Sequence, residues 1–388
     1  MPAGGRIWDI CLTHDPAYGG LYRSVRNFAA ALDADILSFD DSRVPRPAVE
    51  AQERLHRLRC IPIPVNRDCW FVTPAMSREA NSTTADATAL MVHSLFRGHA
   101  TWSMDEARRR GIPYGAAPHG SLDPVGMRRR PALKRLWMTS TGRSFLERAQ
   151  AVYFASTREM QEALPWAPKC RPVVVHWPIE VPDIAHRIAV RAAFRRHYNL
   201  PEDDRLLVFV GRLHSIKRLF HLVDVFVAAA PQRCRLAIVG MDGDVQRESI
   251  QAYAASRGCD RIHVLGALHG AELTQAYLPS EGYVSLSHRE NFSYAMADAL
   301  ACGLPVILSP GHYLAYDLPH QSNGTLGCGW LLPDDGLPSA VAGIRQFATA
   351  SSAELEAMGC RGRAWVLANL TWEKFASTVR IALLAPSG

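Results

Sequence analysis

Short apolar runs alternate with helically spaced stretches along almost the whole of this chain, and that alternation most constrains its fold. Ile7 to Leu12 reads as a strand, and Leu21, Val25, Phe28, Ala29 and Leu32 then recur at helical spacing. Further strand candidates are Asp35 to Ser38, Ala89 to His93, Ile112 to Ala117, Ala151 to Ala155 and Val173 to His176. A second series comprises Leu206 to Val210, Leu236 to Val239, Ile262 to Leu265, Tyr283 to Leu286 and Val306 to Leu308. Strands joined through helices pair in parallel, so the chain is α/β. Between the series, from Pro178 to Pro201, strand signals give way to a polar, arginine-rich helical stretch. Two doubly wound domains are therefore expected, over residues 1–185 and 186–370. Residues 371–388 form a last helix with Val379, Ile381 and Leu383 as apolar positions. The prolines and polar residues from about Val44 to Met91 read as loops.

Functional residues of such sheets sit beyond the C-terminal ends of strands. His93 and the pair His119 and Gly120 stand there, and three strands of the second series end at Gly211, Gly240 and Gly266. Gly19 and Gly20 precede the first helix, where backbone N–H groups approach a phosphate or simply turn the chain. Arg212 and Lys217 give two cations able to meet a diphosphate, the arginine through a planar fork and the lysine as a point charge. Glu290 and Asp298 frame a stretch read as helix, with Phe292, Ala295, Met296, Ala299 and Leu300 on one face. Eight helical residues separate the two acids by about 12 Å along the axis, close to the length of a sugar nucleotide.

The segment Glu290, Asp298, Ala301, Gly303, Pro305 and Val306 resembles the signature of the family-four retaining glycosyltransferases. Two positions depart from it: Asp298 stands where glutamate is usual, and Ser293 where glycine is usual. The stretch Pro118-His119-Gly120, the run from Gly211 to Lys217 and the glycine pair Gly19-Gly20 are similar to further family segments. The resemblance implies two facing Rossmann-like domains of the GT-B architecture, an interdomain cleft, and a C-terminal helix crossing back to the first domain. It implies transfer of a sugar from a nucleoside diphosphate sugar to a glycan or lipid-linked hydroxyl, with retention. His119 and Glu290 would position the sugar, and Arg212 and Lys217 would neutralise the leaving diphosphate. Gly19, Gly20, Gly120, Gly266, Asn291, Phe292, Ser293 and Asp298 would contact the donor, Asp298 at the ribose and Gly266 at the base. A nucleotide-sugar 2-epimerase, a phosphorylase, or a non-catalytic nucleotide-binding homologue has the same architecture.

Composition narrows the remaining classes. The nine cysteines form no CxxC pair, which argues for reduced thiols rather than zinc or a disulfide framework. No cofactor beyond the donor substrate and no metal is expected, although Asp242-Gly243-Asp244 has the form of a metal-holding pair. No run of 18 apolar residues and no signal-peptide core is present, so a soluble cytoplasmic protein is expected. Net charge is +6, with basic residues at Arg108 to Arg110 and at Arg128 to Arg130, Lys134 and Arg135, followed by Trp137 and Met138. That run suits an anionic membrane surface, or simply a solvated basic face; no nucleic-acid-binding motif accompanies it.

Overall fold

The structure, a computed structural model, describes residues 6–12, 14, 19–41, 58–63, 71–268, 271–322 and 325–385. The chain forms two compact units, one of Met1–Pro178 with Trp372–Gly388 and one of Ile179–Thr371. The division at Pro178 falls a few residues ahead of the expected boundary.

The first unit holds a seven-stranded sheet. Its strands are β1 (Arg6–Cys11), β2 (Asp35–Asp41), β3 (Leu58–Ile63), β4 (Ala87–His93), β5 (Tyr114–Ala117), β6 (Ala151–Phe154) and β7 (Pro172–Val174). They run parallel in the order β3-β2-β1-β4-β5-β6-β7. The second unit holds β8 (Arg205–Val210), β9 (Cys234–Val239), β10 (Ile262–Gly266), β11 (Gly282–Ser285), β12 (Val306–Leu308) and β13 (Gly329–Leu331). These also run parallel, in the order β10-β9-β8-β11-β12-β13. Ile10, Leu90, Val92 and Val152 in one sheet, and Leu207, Ile238, Val284 and Ile307 in the other, are completely buried, as strands covered on both faces require. The order reverses between β1 and β4 and between β8 and β11. Open parallel sheets bind ligands at such switch points, so the segments after these four strands are where chemistry is expected.

Several elements escaped the sequence reading, among them the helices Leu337–Thr349 and Ser352–Asn369. The strand β3 and the helix Pro74–Thr83 lie in the stretch read as loops, and β13 was not anticipated. Pro62 breaks the apolar pattern of β3, yet proline is tolerated there because β3 is an edge strand. In the helix only Met76 and Ala80 are buried, which hides the periodicity; Thr73 caps it by accepting from the Met76 N–H at 3.3 Å, with Pro74 at the first turn. Residues 42–57 and 64–70 of that stretch lie outside the described residues. β13 is only three residues long and begins at Gly329.

The last helix, Trp372–Leu384, buries Phe375, Val379 and Leu383 within the first unit. The Phe375 and Phe28 rings are 5.0 Å apart, and the Tyr153 hydroxyl donates to the Val379 carbonyl at 2.9 Å. Ile381, read as an apolar contact position, is instead 71% exposed, because the buried stripe steps by four from Phe375.

Candidate functional site

In the second unit, β8 and β9 end so close together that a Cβ on Gly240 would lie 1.8 Å from the Gly211 carbonyl oxygen; only glycine fits. This packing seats the loop that carries the cations. Leu213 is buried and donates its N–H to Met241 at 2.8 Å, and the His214 Nδ1 accepts from the Ile216 N–H at 3.1 Å. A single turn of 3₁₀ helix, Ser215–Lys217, follows. The His288 N–H then donates to the Ile216 carbonyl at 2.9 Å, tying this loop to the one after β11.

The tie brings Lys217 onto Glu290: the ammonium donates to the carboxylate, with the side chains 21% and 14% exposed. Burial alone pushes the Glu290 carboxyl up, but Lys217, His312 and the Ser287 hydroxyl together outweigh it and hold Glu290 below the usual range. Beneath it His312 is 2.9 Å from Ser285 Oγ, and Ser309 Oγ donates to the Ser287 carbonyl at 2.6 Å. Burial lowers His312 to about 4, so it is neutral near pH 7. Arg212, by contrast, is exposed and has no ion pair among the described residues. The two cations expected to act together thus differ: one is held by a buried acid and the other is free for an anion.

Glu290 is not helical. Its N–H donates to Gly311 at 2.8 Å, its carbonyl accepts from Tyr313, and the helix spans only Tyr294–Ala301. The 12 Å separation inferred from eight helical residues therefore does not apply, and Asp298 stands one turn into the helix rather than two. Ser293 caps that helix with φ 59° and no side-chain bond to its amides. Left-handed backbone at an L-residue costs about 1–2 kcal/mol, which explains why glycine is usual there. The first N–H groups of the helix lack a side-chain cap, an arrangement suited to an anion. Phe292 is buried against Tyr294 at 4.9 Å, and the buried Asn291 Oδ1 has no hydrogen-bond partner among the described residues. Gly266 ends the edge strand β10 at φ 78°, with its carbonyl engaged by the Gly240 N–H at 2.8 Å. Asp242 and Asp244 fix turns: Asp242 accepts from the Arg247 N–H at 2.8 Å, and Asp244 from the Ser215 N–H and hydroxyl at 2.7 and 2.6 Å.

In the first unit, Gly19 (φ 54°) and Gly20 open the helix Gly20–Leu32 with no side-chain cap; residues 15–18 of that loop lie outside the described residues. His119 follows β5 with φ 51°, and Gly120 with φ 70°. The turn is clamped by Glu159, whose carboxylate accepts from the Gly120 N–H at 2.6 Å and the Ala155 N–H at 2.7 Å. The His119 Nε2 lies 2.7 Å from the Nδ1 of His93, and the His93 Nε2 lies 2.6 Å from Asp9 Oδ1. Burial, with His93 adding to it, lowers His119 well below the ordinary imidazole value, and burial alone lowers His93 to about 3.

Four of these residues were missed or undervalued. Asp9 is a charge inside the run Ile7 to Cys11, and a buried acid in a strand is itself a signal, because it must be paired. Glu159 follows Ser156 by three residues, which reads as an ordinary helix-capping pair; its reach to Gly120 is a tertiary fact. His312 carried no sequence signal. His93 was visible as a strand-end residue, but its contact with His119 was not.

The basic run divides as well. Arg109 is bound by Glu106 at 2.9 and 2.6 Å, and Arg110 by the Thr84, Ala85 and Ala87 carbonyls. Lys134 lies over the Phe96 ring at 4.8 Å, Trp137 packs on Phe96 at 5.1 Å, and Met138 is buried, so these three face the protein. Arg128, Arg129, Arg130 and Arg135 are exposed beside the exposed Val125, Leu133 and Leu136.

Residues 190–363 match the family described as Glycosyl transferases group 1. The D-inositol 3-phosphate glycosyltransferase of Thermobispora bispora is 27% identical over 66% of this chain and 63% of its own length, so less than two thirds of that relative is spanned. Among solved structures, Anabaena HepE in complex with UDP superposes with TM-score 0.79 at 14% identity, over 97% of this chain and 99% of that one. Sucrose-phosphate synthase from Thermosynechococcus elongatus gives TM-score 0.77 at 20% identity, over 96% of both chains. The α/β two-domain fold is thus that of these structures.

Proposed function

We propose that this chain, whose residues 190–363 match the Glycosyl transferases group 1 family, is an enzyme that transfers a sugar from a nucleoside diphosphate sugar to a glycan or lipid-linked hydroxyl, with retained configuration and without a metal. The observation that carries the reading is the half-buried Lys217–Glu290 pair, set at the switch point of the second sheet beside the uncapped helix Tyr294–Ala301. Lys217, Arg212 and the helix amides are assigned to the diphosphate, where preorganised charge stabilises a leaving group. Glu290 and His119 are assigned to sugar hydroxyls and Asp298 to the ribose. In a front-face substitution the leaving phosphate oxygen takes the acceptor's proton, so no protein nucleophile is required.

The test is a panel of nucleoside diphosphate sugars with excess EDTA. A cognate donor at about 100 times its Kd should stabilise the protein by ~2.7 kcal/mol. Slow release of nucleoside diphosphate, with the sugar's anomeric configuration kept in the product, should follow in EDTA. A phosphate-dependent or epimerised product would replace this reading with a phosphorylase or epimerase, binding without turnover with a non-catalytic homologue, and loss of activity in EDTA restored by magnesium with a metal-assisted mechanism.

We place the first unit at the cytoplasmic face of a membrane. No helix among the described residues is long and apolar enough to cross one, but the exposed arginines beside Val125, Leu133 and Leu136 suit adsorption to anionic lipid. The protein should float with liposomes containing anionic lipid at low salt and be released as salt rises; failure to float at low salt would leave the acceptor in solution.

A further inference from the structure

We propose that Asp9 and His93 are positioning residues that fix the proton on His119, so that His119 offers a bare ring nitrogen to a hydroxyl of the donor sugar. Asp9 lies mid-strand in β1 and His93 ends the neighbouring β4; both are completely buried. A carboxylate in that position is sustained only by partners, and the His93 Nε2, 2.6 Å away, is one of the groups within ion-pair distance of it. The His93 Nδ1 is in turn 2.7 Å from the His119 Nε2, and the two rings stack at 5.1 Å. Phe28, 5.1 Å from His93, and Trp177, 5.8 Å from His119, cover the pair. The backbone holds both ends: the His93 carbonyl accepts from His99 Nε2 at 2.7 Å, and the left-handed His119 is anchored through Gly120 on Glu159.

Burial keeps both rings neutral, so each carries one proton. Donor and acceptor counting then fixes the order. With Asp9 as acceptor, the His93 proton sits on Nε2 and its Nδ1 is bare. His119 must therefore donate from Nε2, which leaves its own Nδ1 as an acceptor. An amide at position 9 that turns its NH₂ towards His93 Nε2 reverses the chain: His93 then donates from Nδ1, and His119 is protonated on Nδ1, a donor where an acceptor is needed. The hydroxyl rests on the glycosyl-transfer reading, whereas the proton order does not.

The test reads the ring nitrogens of His93 and His119 by ¹⁵N NMR without nucleotide, with assignments from His93→Gln and His119→Gln. In the parent both rings should be protonated on Nε2; in Asp9→Asn both should be protonated on Nδ1, and kcat should fall at least about a hundredfold, as wrong-tautomer variants of histidine relays do. His119 protonated on Nδ1 in the parent overturns the proposal even if Asp9→Asn does not fold. Unchanged tautomers in Asp9→Asn with a hundredfold loss of kcat, or reversed tautomers with full turnover, also overturn it. A parent without transferase activity still yields the proton order, so failure of the reaction and failure of the relay are told apart.

Discussion

A Lys217→Ala variant is expected to lose roughly a hundredfold in turnover, the scale seen when one preorganised group facing developing charge is removed. The ammonium has two tasks: it neutralises Glu290 in the empty protein, and on the proposed reading it faces the leaving diphosphate. Stability should change too. Deleting one partner of a buried pair costs about 3–5 kcal/mol, an upper bound here because Lys217 keeps 21% exposure. The pH dependence separates this from a generic packing defect. In the parent, Glu290 titrates below its ordinary 4.5, so its contribution is present above 4.5 and lost as pH falls through the folded value. Without Lys217, burial is the largest influence left and should push Glu290 above 4.5. The folded state then binds the proton more tightly than the unfolded one, and the variant loses stability as pH rises from about 4.5 through the new folded value. Denaturant unfolding from pH 3.5 to 7 should therefore show the gap between parent and variant widening with pH. A gap constant with pH, or normal turnover, would remove Lys217 from both roles.

How far the sequence reached can be judged from single residues. The glycines at 211, 240 and 266 and the parallel pairing were legible because strand ends and strand–helix alternation are local patterns. The edge strands β3 and β13 were not, since an edge needs neither an unbroken apolar run nor the absence of proline. Glu290 and Asp298 were singled out as acids on one segment, but helical spacing was extended back through Phe292, and a positive φ at Ser293 ends the helix there instead. Such a break is nearly invisible when serine occupies a position that glycine would have advertised. Glu159 and His312 became visible only in three dimensions, because each acts on a residue far away in the chain, whereas Asp9 stood out in its strand but its partner did not.

The two acids of the second unit should fail differently. Glu290→Gln keeps size but removes the charge facing Lys217, and with it an interaction assigned to the sugar as it approaches an oxocarbenium-like state. kcat should fall by about two orders of magnitude, ~2.7 kcal/mol, with donor KM little changed. Asp298 sits one turn inside a regular helix, half-exposed, and its assigned ribose is held equally in ground and transition states. Asp298→Asn should therefore raise donor KM about tenfold, or ~1.4 kcal/mol, with kcat kept, the mark of lost uniform binding. Asp298→Glu adds one methylene on the same helical turn and restores the family's usual residue, so donor binding should stay within about tenfold of the parent. Steady-state kinetics with the donor varied at saturating acceptor measures all three. Identical defects in the Gln and Asn variants, or full activity in both, would mean that the two acids do not hold opposite ends of one sugar nucleotide. Loss of binding in Asp298→Glu alone would mean that this helix meets the donor at a distance that only the shorter aspartate fits.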